Sequence, residues 1–139
     1  MQVHGSCAAR NGAGVLLLGP PGIGKSDLVL RLLDRGFVLV ADDRVVIEGG
    51  CARPADGLAG LLEVRGPGIV RMPFTAPVRL ALAIRLGAAG ERLPVPERYA
   101  PADIPLLALD GRAAAAPAVI ALALDCAAGR VTQVAGAFA

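Results

Sequence analysis

The sequence predicts an α/β fold, a single P-loop kinase domain in which a mixed sheet is flanked by helices. Three observations carry this. An apolar run, Val15 to Leu18, leads straight into a Gly-rich loop that closes on Lys25-Ser26. A stretch with helical apolar spacing follows that loop at once. Further along, short apolar runs alternate with Gly/Pro-rich connections, as strands of a covered sheet do. With 139 residues, 55% of them apolar and 19% charged, the chain suits one folded domain, here 1–139, with no internal repeat and no linker.

In chain order, Met1 to Ala9 and Gly14 to Leu18 read as two strands around Arg10-Asn11-Gly12, because Asn-Gly favours a hairpin. Gly19 to Gly24 is a loop. Ser26 to Arg35 reads as a helix: Leu28/Leu32 and Val29/Leu33 stack at i,i+4, Asp27 and Arg31 pair outside, and Gly36 ends it. Phe37 to Ala41 is a wholly apolar strand that stops at Asp42-Asp43, and Val45 to Glu48 resumes. Gly49 to Gly60 reads as loop, Leu61 to Arg65 as a strand running into Gly66-Pro67-Gly68, and Val78 to Leu86 as another strand. Gly87 to Asp103, rich in Gly, Pro and charge, is expected to be a mobile surface loop. Ile104 to Asp110 is strand-like, and Ala113 to Ala128 is helical after Pro117.

Composition narrows the function classes. The formal net charge is +2, and no basic stripe points to nucleic acid. Cys7, Cys51 and Cys126 are odd in number and far apart, which suits free thiols of a reducing cytoplasm. His4 is the only histidine, so no His cluster awaits a transition metal. No run nears the ~18 apolar residues of a membrane span, and the N-terminus lacks a signal-peptide pattern. A soluble cytoplasmic protein without a membrane partner is expected.

Gly19-Pro20-Pro21-Gly22-Ile23-Gly24-Lys25-Ser26 fits G-x-x-x-x-G-K-[ST] at every fixed position, between an expected strand and an expected helix. The glycines let the backbone turn its N–H groups toward phosphates, and the helix N-terminus adds favourable partial charge. Pro20 and Pro21 have no N–H to give, so ATP would rely on amides from Gly22 onward. Lys25, the only lysine among 14 basic residues, is placed to reach the β- and γ-phosphates, and the Ser26 hydroxyl to hold Mg²⁺. Asp42 and Asp43 end a buried-type strand, where ligand-facing groups of α/β sheets sit. Neighbours on a strand point to opposite faces, so one of the two is expected to aim at the phosphates, holding the metal through water or taking a proton. A solvated turn before Arg44 is the plainer alternative. Asn11 is the only asparagine, which removes the guanine-reading Asn-Lys-x-Asp of GTPases. Ser6 and Ser26 are the only serines, which removes the transporter-ATPase signature.

His4-Gly5, Gly19 to Ser26, Leu39-Val40-Ala41-Asp42-Asp43 and Glu63-Val64-Arg65-Gly66-Pro67-Gly68-Ile69-Val70 together resemble the HPr kinase/phosphorylase family. These bacterial enzymes phosphorylate a serine of HPr, the phosphocarrier of the sugar phosphotransferase system. The resemblance runs from Met1 to about Arg71. It implies Lys25 as the loop lysine, Ser26 and Glu63 as magnesium ligands, and Asp43 as the carboxylate that takes the serine proton and returns it in the reverse reaction. It implies Asp42 and His4 as residues supporting Asp43, Leu62 to Arg71 as a loop used in both activities, and Arg92 as an active-site arginine. It also implies ATP and Mg as cofactors, HPr as protein partner, phosphorolysis by inorganic phosphate giving pyrophosphate, and a hexameric homo-oligomer. Longer members carry a separate N-terminal domain, so this chain resembles the catalytic-domain-only members of some alpha-proteobacteria. The family's Pro-x-Arg-Pro-Gly-Arg-Asn segment, tied to dephosphorylation, corresponds here to Leu107-Ala108-Leu109-Asp110-Gly111-Arg112-Ala113, which keeps the Gly and one Arg. Two rival readings use the same loop. One is a small-molecule kinase with Gly87 to Asp103 as lid, and the other is a non-enzymatic ATP-sensing module, which would need no proton acceptor at Asp43.

Overall fold

The computed structural model describes all residues, Met1–Ala139. Strands β1 (Gln2–Arg10) and β2 (Ala13–Leu18) form a hairpin through Asn11 and Gly12, at φ 51° and 79°. Both values are positive, as a two-residue turn matched to strand twist requires. Helix α1 (Lys25–Leu33) follows the loop. Next come β3 (Val38–Ala41), β4 (Arg44–Glu48), β5 (Cys51–Pro54), β6 (Leu61–Val64), β7 (Gly68–Arg71), β8 (Val78–Leu86), β9 (Arg98–Tyr99), β10 (Ile104–Leu109) and helix α2 (Ala116–Ala127).

The sheet is mixed, as expected, with β8 at its middle. β8 pairs in parallel with β2 on one edge and β10 on the other, and β9 runs antiparallel along β10. β1 lies antiparallel to β2, and its other edge is shared: Gln2 to His4 face β4, and Cys7 to Ala9 face β3. β4 turns into β5, whose Cys51 and Ala52 return to Arg79 and Val78 at the start of β8. The pairings β1–β2–β8–β5–β4 therefore close on themselves. β6 and β7 form a separate two-stranded hairpin.

One extra residue in β8 sorts the core into two. Gly14 pairs with Leu80 but Val15 with Leu82, so Ala81 is skipped. A bulge of one residue reverses which face each later side chain meets. Val78 and Leu80 consequently join Cys7, Leu16, Val45 and Ile47 within the closed strands. Leu82, Ile84 and Leu86 instead join Leu28, Leu32, Ile120 and Leu124 beneath the helices.

Four expectations change. Both helices pack on one face of the sheet rather than flanking it, the other face being covered by β4, β5 and Ile104. The expected Gly49–Gly60 loop contains β5, because Gly49-Gly50 (φ 58° and 77°) makes a second two-residue hairpin turn. The run after Gly66-Pro67 returns as β7. The expected mobile loop Gly87–Asp103 contains β9 and a 3₁₀ turn, Ala100–Ala102, and is tied down by Arg85–Glu97 (2.7 Å) and Arg98–Asp103 ion pairs. No helix is long and apolar enough to cross a membrane.

Candidate functional site

The loop after β2 delivers Gly24 in a left-handed conformation (φ 98°), and α1 begins at the next residue. A β-carbon at such a φ costs about 1–2 kcal/mol, so glycine is what lets the chain turn from loop into helix here. The first amides of α1 have no acceptor within the helix and face the loop's mouth, an anion-binding arrangement. Lys25 folds over this mouth, its Nζ donating to the carbonyls of Gly19 (2.7 Å) and Pro20 (3.0 Å). Partial burial pulls the Lys25 ammonium below its ordinary pKa, while the carboxylates of Asp42 and Asp43 push it the other way.

Asp42 is the centre of the cluster. It lies just beyond β3 at 5% exposure, and its carboxylate accepts hydrogen bonds from three donors. Ser26 Oγ donates to it at 2.8 Å, Ser6 Oγ at 2.6 Å and the Glu63 amide at 3.3 Å. Three elements, β1, α1 and β6, thus converge on one carboxylate. A buried charge with this many donors is held in place rather than merely tolerated.

Asp43 takes the opposite direction. It adopts φ 70° and is exposed; its carbonyl accepts from the Gly5 amide at 3.2 Å. β3 ends at Ala41, so the left-handed bend at Asp43, not the expected strand alternation, parts the two: Asp42 meets the loop serine and Asp43 is exposed. His4 pairs with Arg44 across β1 and β4 and is likewise exposed, so it is no core histidine. The Glu63 side chain is exposed and its backbone touches the cluster. Arg92 is not brought to the cluster; it lines a groove among β8, β10 and α2.

Ser26, Asp42 and Glu63 offer hydroxyl and carboxylate oxygens, the hard donors that magnesium takes alongside phosphate oxygens. No set of three His, Cys, Asp or Glu side chains gathers into a cage. Ser6 was missed by sequence reasoning. Its only signal is a hydroxyl in the otherwise small and apolar run Cys7-Ala8-Ala9, one strand away from Ala41-Asp42.

A family model, HPr Serine kinase C-terminal domain, matches residues 1–75, more than half of the chain. The chain belongs to this family. The match takes in His4, the phosphate loop, both aspartates and Glu63, and leaves out Arg92 and the segment Leu107 to Ala113. The HPr kinase/phosphorylase of Chlorobium chlorochromatii is 42% identical over 84 residues, covering 56% of this chain and 25% of that protein. That of Streptococcus thermophilus is 49% identical over 74 residues, covering 50% and 24%. The chain thus spans about a quarter of the length of the curated relatives it matches. The fold is that of the HPr(Ser) kinase/phosphatase from Coxiella burnetii, with a TM-score of 0.70, 24% identity and 86% of each chain covered.

Proposed function

We propose that the chain is an ATP- and Mg-dependent serine kinase of HPr. The observation that carries this reading is the pair of adjacent aspartates that diverge, Asp42 buried against the loop serine and Asp43 exposed beside it. A nucleotide sensor needs the first; only an acceptor reaction needs the second. Lys25 and the amides of the loop bind and orient the β- and γ-phosphates. Magnesium, held by Ser26 and Glu63 with Asp42 behind Ser26, would neutralise charge on the phosphates. Asp43 receives the proton of the serine hydroxyl as that oxygen bonds to the γ-phosphorus, the bond from phosphorus to the β–γ bridging oxygen breaks and ADP leaves, and His4 supports Asp43 from the neighbouring strand.

The test is transfer of labelled γ-phosphate from ATP to purified HPr. Asp43→Asn is expected to bind Mg-ATP normally and to transfer at least about 100-fold more slowly. If it loses nucleotide binding yet turns over normally at saturation, Asp42 is the better base.

The same site favours the forward direction. Phosphorolysis needs a second anion site in line with phosphoserine. After β10, Arg31 of α1 donates to the carbonyls of Gly111 and Ala113 (3.3 Å), so its guanidinium is committed to holding this segment. Arg112 is the one cation the segment offers. Pyrophosphate release from serine-phosphorylated HPr, at high inorganic phosphate, is expected to be at least about tenfold slower than the forward rate. Equal rates would show that the altered segment still builds the phosphate site.

A further inference from the structure

The chain has two serines, Ser6 and Ser26, and both hydroxyls donate to the carboxylate of Asp42. Ser26 belongs to the phosphate loop's helix, whereas Ser6 is fully buried on β1. Strand register brings Ser6 to the site. Cys7 pairs with Ala41 and His4 with Arg44, so Ser6 lies directly across from Asp42. Directly opposed residues share a face, with Cβ atoms about 4.5–5.5 Å apart, which a hydroxyl and a carboxylate span.

β3 settles which face that is. Cys7 pairs with Ala41 but Ala8 with Leu39, so Val40 is passed over. Leu39 lies beneath the helices, while Val40 and Ala41 both enter the core within the closed strands. The extra residue thus returns Asp42 to the side of α1. Ser6, two residues before Ala8 of the core beneath the helices, emerges on that side as well.

The donors divide between the two carboxylate oxygens. Ser6 Oγ holds Oδ1 (2.6 Å), and the Glu63 amide reaches Oδ2 (3.3 Å). Ser26 Oγ is within reach of both, at 2.8 and 2.9 Å. The last torsion of an aspartate is soft, so a carboxylate held at one oxygen can turn, and one held at each oxygen by a different strand cannot. Ser6 makes the shorter of these two outer bonds. A serine hydroxyl has one hydrogen and two lone pairs. With its hydrogen drawn to Asp42, Ser26 turns its lone pairs away from that carboxylate, where a cation can take them. A carboxylate free to turn would release the hydrogen to other acceptors, phosphate oxygens among them, and Ser26 would then offer a donor in place of a ligand.

Resting on the nucleotide and magnesium part of the reading above, we propose that Ser6 is a positioning residue for the metal-binding serine. By pinning Asp42 it keeps the Ser26 hydroxyl turned as an acceptor toward the cation that accompanies the nucleotide.

The experiment measures Kd of a fluorescent ATP analogue for the whole chain, with Mg²⁺ and with EDTA, in wild type, Ser6→Ala, Ser6→Thr and Leu82→Ala. Leu82→Ala is the control for lost packing, since Leu82 is buried beneath the helices and makes no bond to the cluster. Mg²⁺ is expected to tighten wild-type binding. In Ser6→Ala this gain should shrink by at least about tenfold, with Kd in EDTA within about twofold of wild type. Ser6→Thr keeps the hydroxyl and should recover the gain to within about threefold, and Leu82→Ala should keep it in full. A Ser6→Ala that loses stability to urea but keeps the whole magnesium gain makes Ser6 a packing residue and overturns the proposal. Equal weakening with and without Mg²⁺ places its effect on the loop as a whole and also overturns it, as does a folded Ser6→Thr that behaves like Ser6→Ala. Loss of the gain in Ser6→Ala, beside a wild type that transfers no phosphate to HPr, supports the positioning role and removes the kinase reading. A wild type that binds no nucleotide in either condition overturns both.

Discussion

Residues 1–75 carry the family match and the convergent carboxylate cluster, whereas residues 76–139 carry the strand at the middle of the sheet. Similarity and structural centrality are thus separated along the chain. β8 supplies Leu80, Leu82, Ala83 and Ile84 to the two cores, all of them buried, yet lies outside the matched residues. The contrast has a physical origin. A core position asks for apolar volume, which Leu, Ile, Val or Met can each fill with repacking. The loop asks for a backbone without a β-carbon at Gly24, an ammonium at Lys25 and a Ser or Thr hydroxyl facing Asp42, a far narrower choice.

The largest effect that can break this contrast is Lys25→Ala. Its Nζ bonds only loop carbonyls and is not part of either core. Phosphoryl transfer is expected to fall by about 10³-fold or more, with the melting temperature within a few degrees of wild type. Wild-type turnover in this variant would remove the assignment of the loop as the phosphate site.

Leu82→Ala probes the other half with the opposite signature. Leu82 is fully buried beneath the helices, and its loss leaves a cavity there. Urea denaturation is expected to show a loss of about 3 kcal/mol. Transfer per folded molecule is expected to stay near wild type, because Leu82 lies beneath the helices, four residues before Leu86, the β8 residue beside Gly19. A variant that keeps its stability but loses activity would tie β8 to the site and erase the distinction between the halves.

Legibility followed the same division. The Gly-rich loop leading into α1, the Asn11-Gly12 hairpin and the strand stopping before Asp42 could be read because each needs particular residues in a fixed local order. What could not be read depends on residues far apart in sequence. That Asp42 rather than Asp43 receives the Ser26 hydroxyl follows from the left-handed turn at Asp43, and Ser6 enters the cluster only through β1–β3 pairing. β5 was passed over although Gly49-Gly50 is a hairpin signal, because Cys51-Ala52-Arg53-Pro54 ends in a proline and lacks a clear apolar alternation. Placing both helices on one face was beyond periodicity, which says that a helix has an apolar stripe but not which face of the sheet receives it.

The smallest expected effect sharpens the comparison most, because it reads whether the two halves unfold together. Cys7 belongs to β1 and the matched half, but its fully buried thiol lies in a core with Val78, Leu80 and Ala83 of the other half. Burial raises its pKa from 9.0 to about 12, outweighing a backbone hydrogen bond with Val15 that lowers it. Below pH 9 the thiol keeps its proton both folded and unfolded, and its contribution to stability does not change with pH. Above pH 9 only the unfolded chain releases the proton, so stability falls as pH rises toward 12, by up to about 1.4 kcal/mol per pH unit. Cys7→Ala removes this dependence. Between pH 8 and 10.5 the stability gap between wild type and Cys7→Ala should therefore shift by about 2 kcal/mol in favour of the variant. Far-ultraviolet dichroism follows the whole fold, and nucleotide binding follows the loop half alone. If one cooperative unit spans both halves, the two probes lose signal at the same urea concentration at each pH. If binding is lost earlier than dichroism at pH 10.5, the loop half opens independently, and the β8 core persists without the strand that holds Cys7.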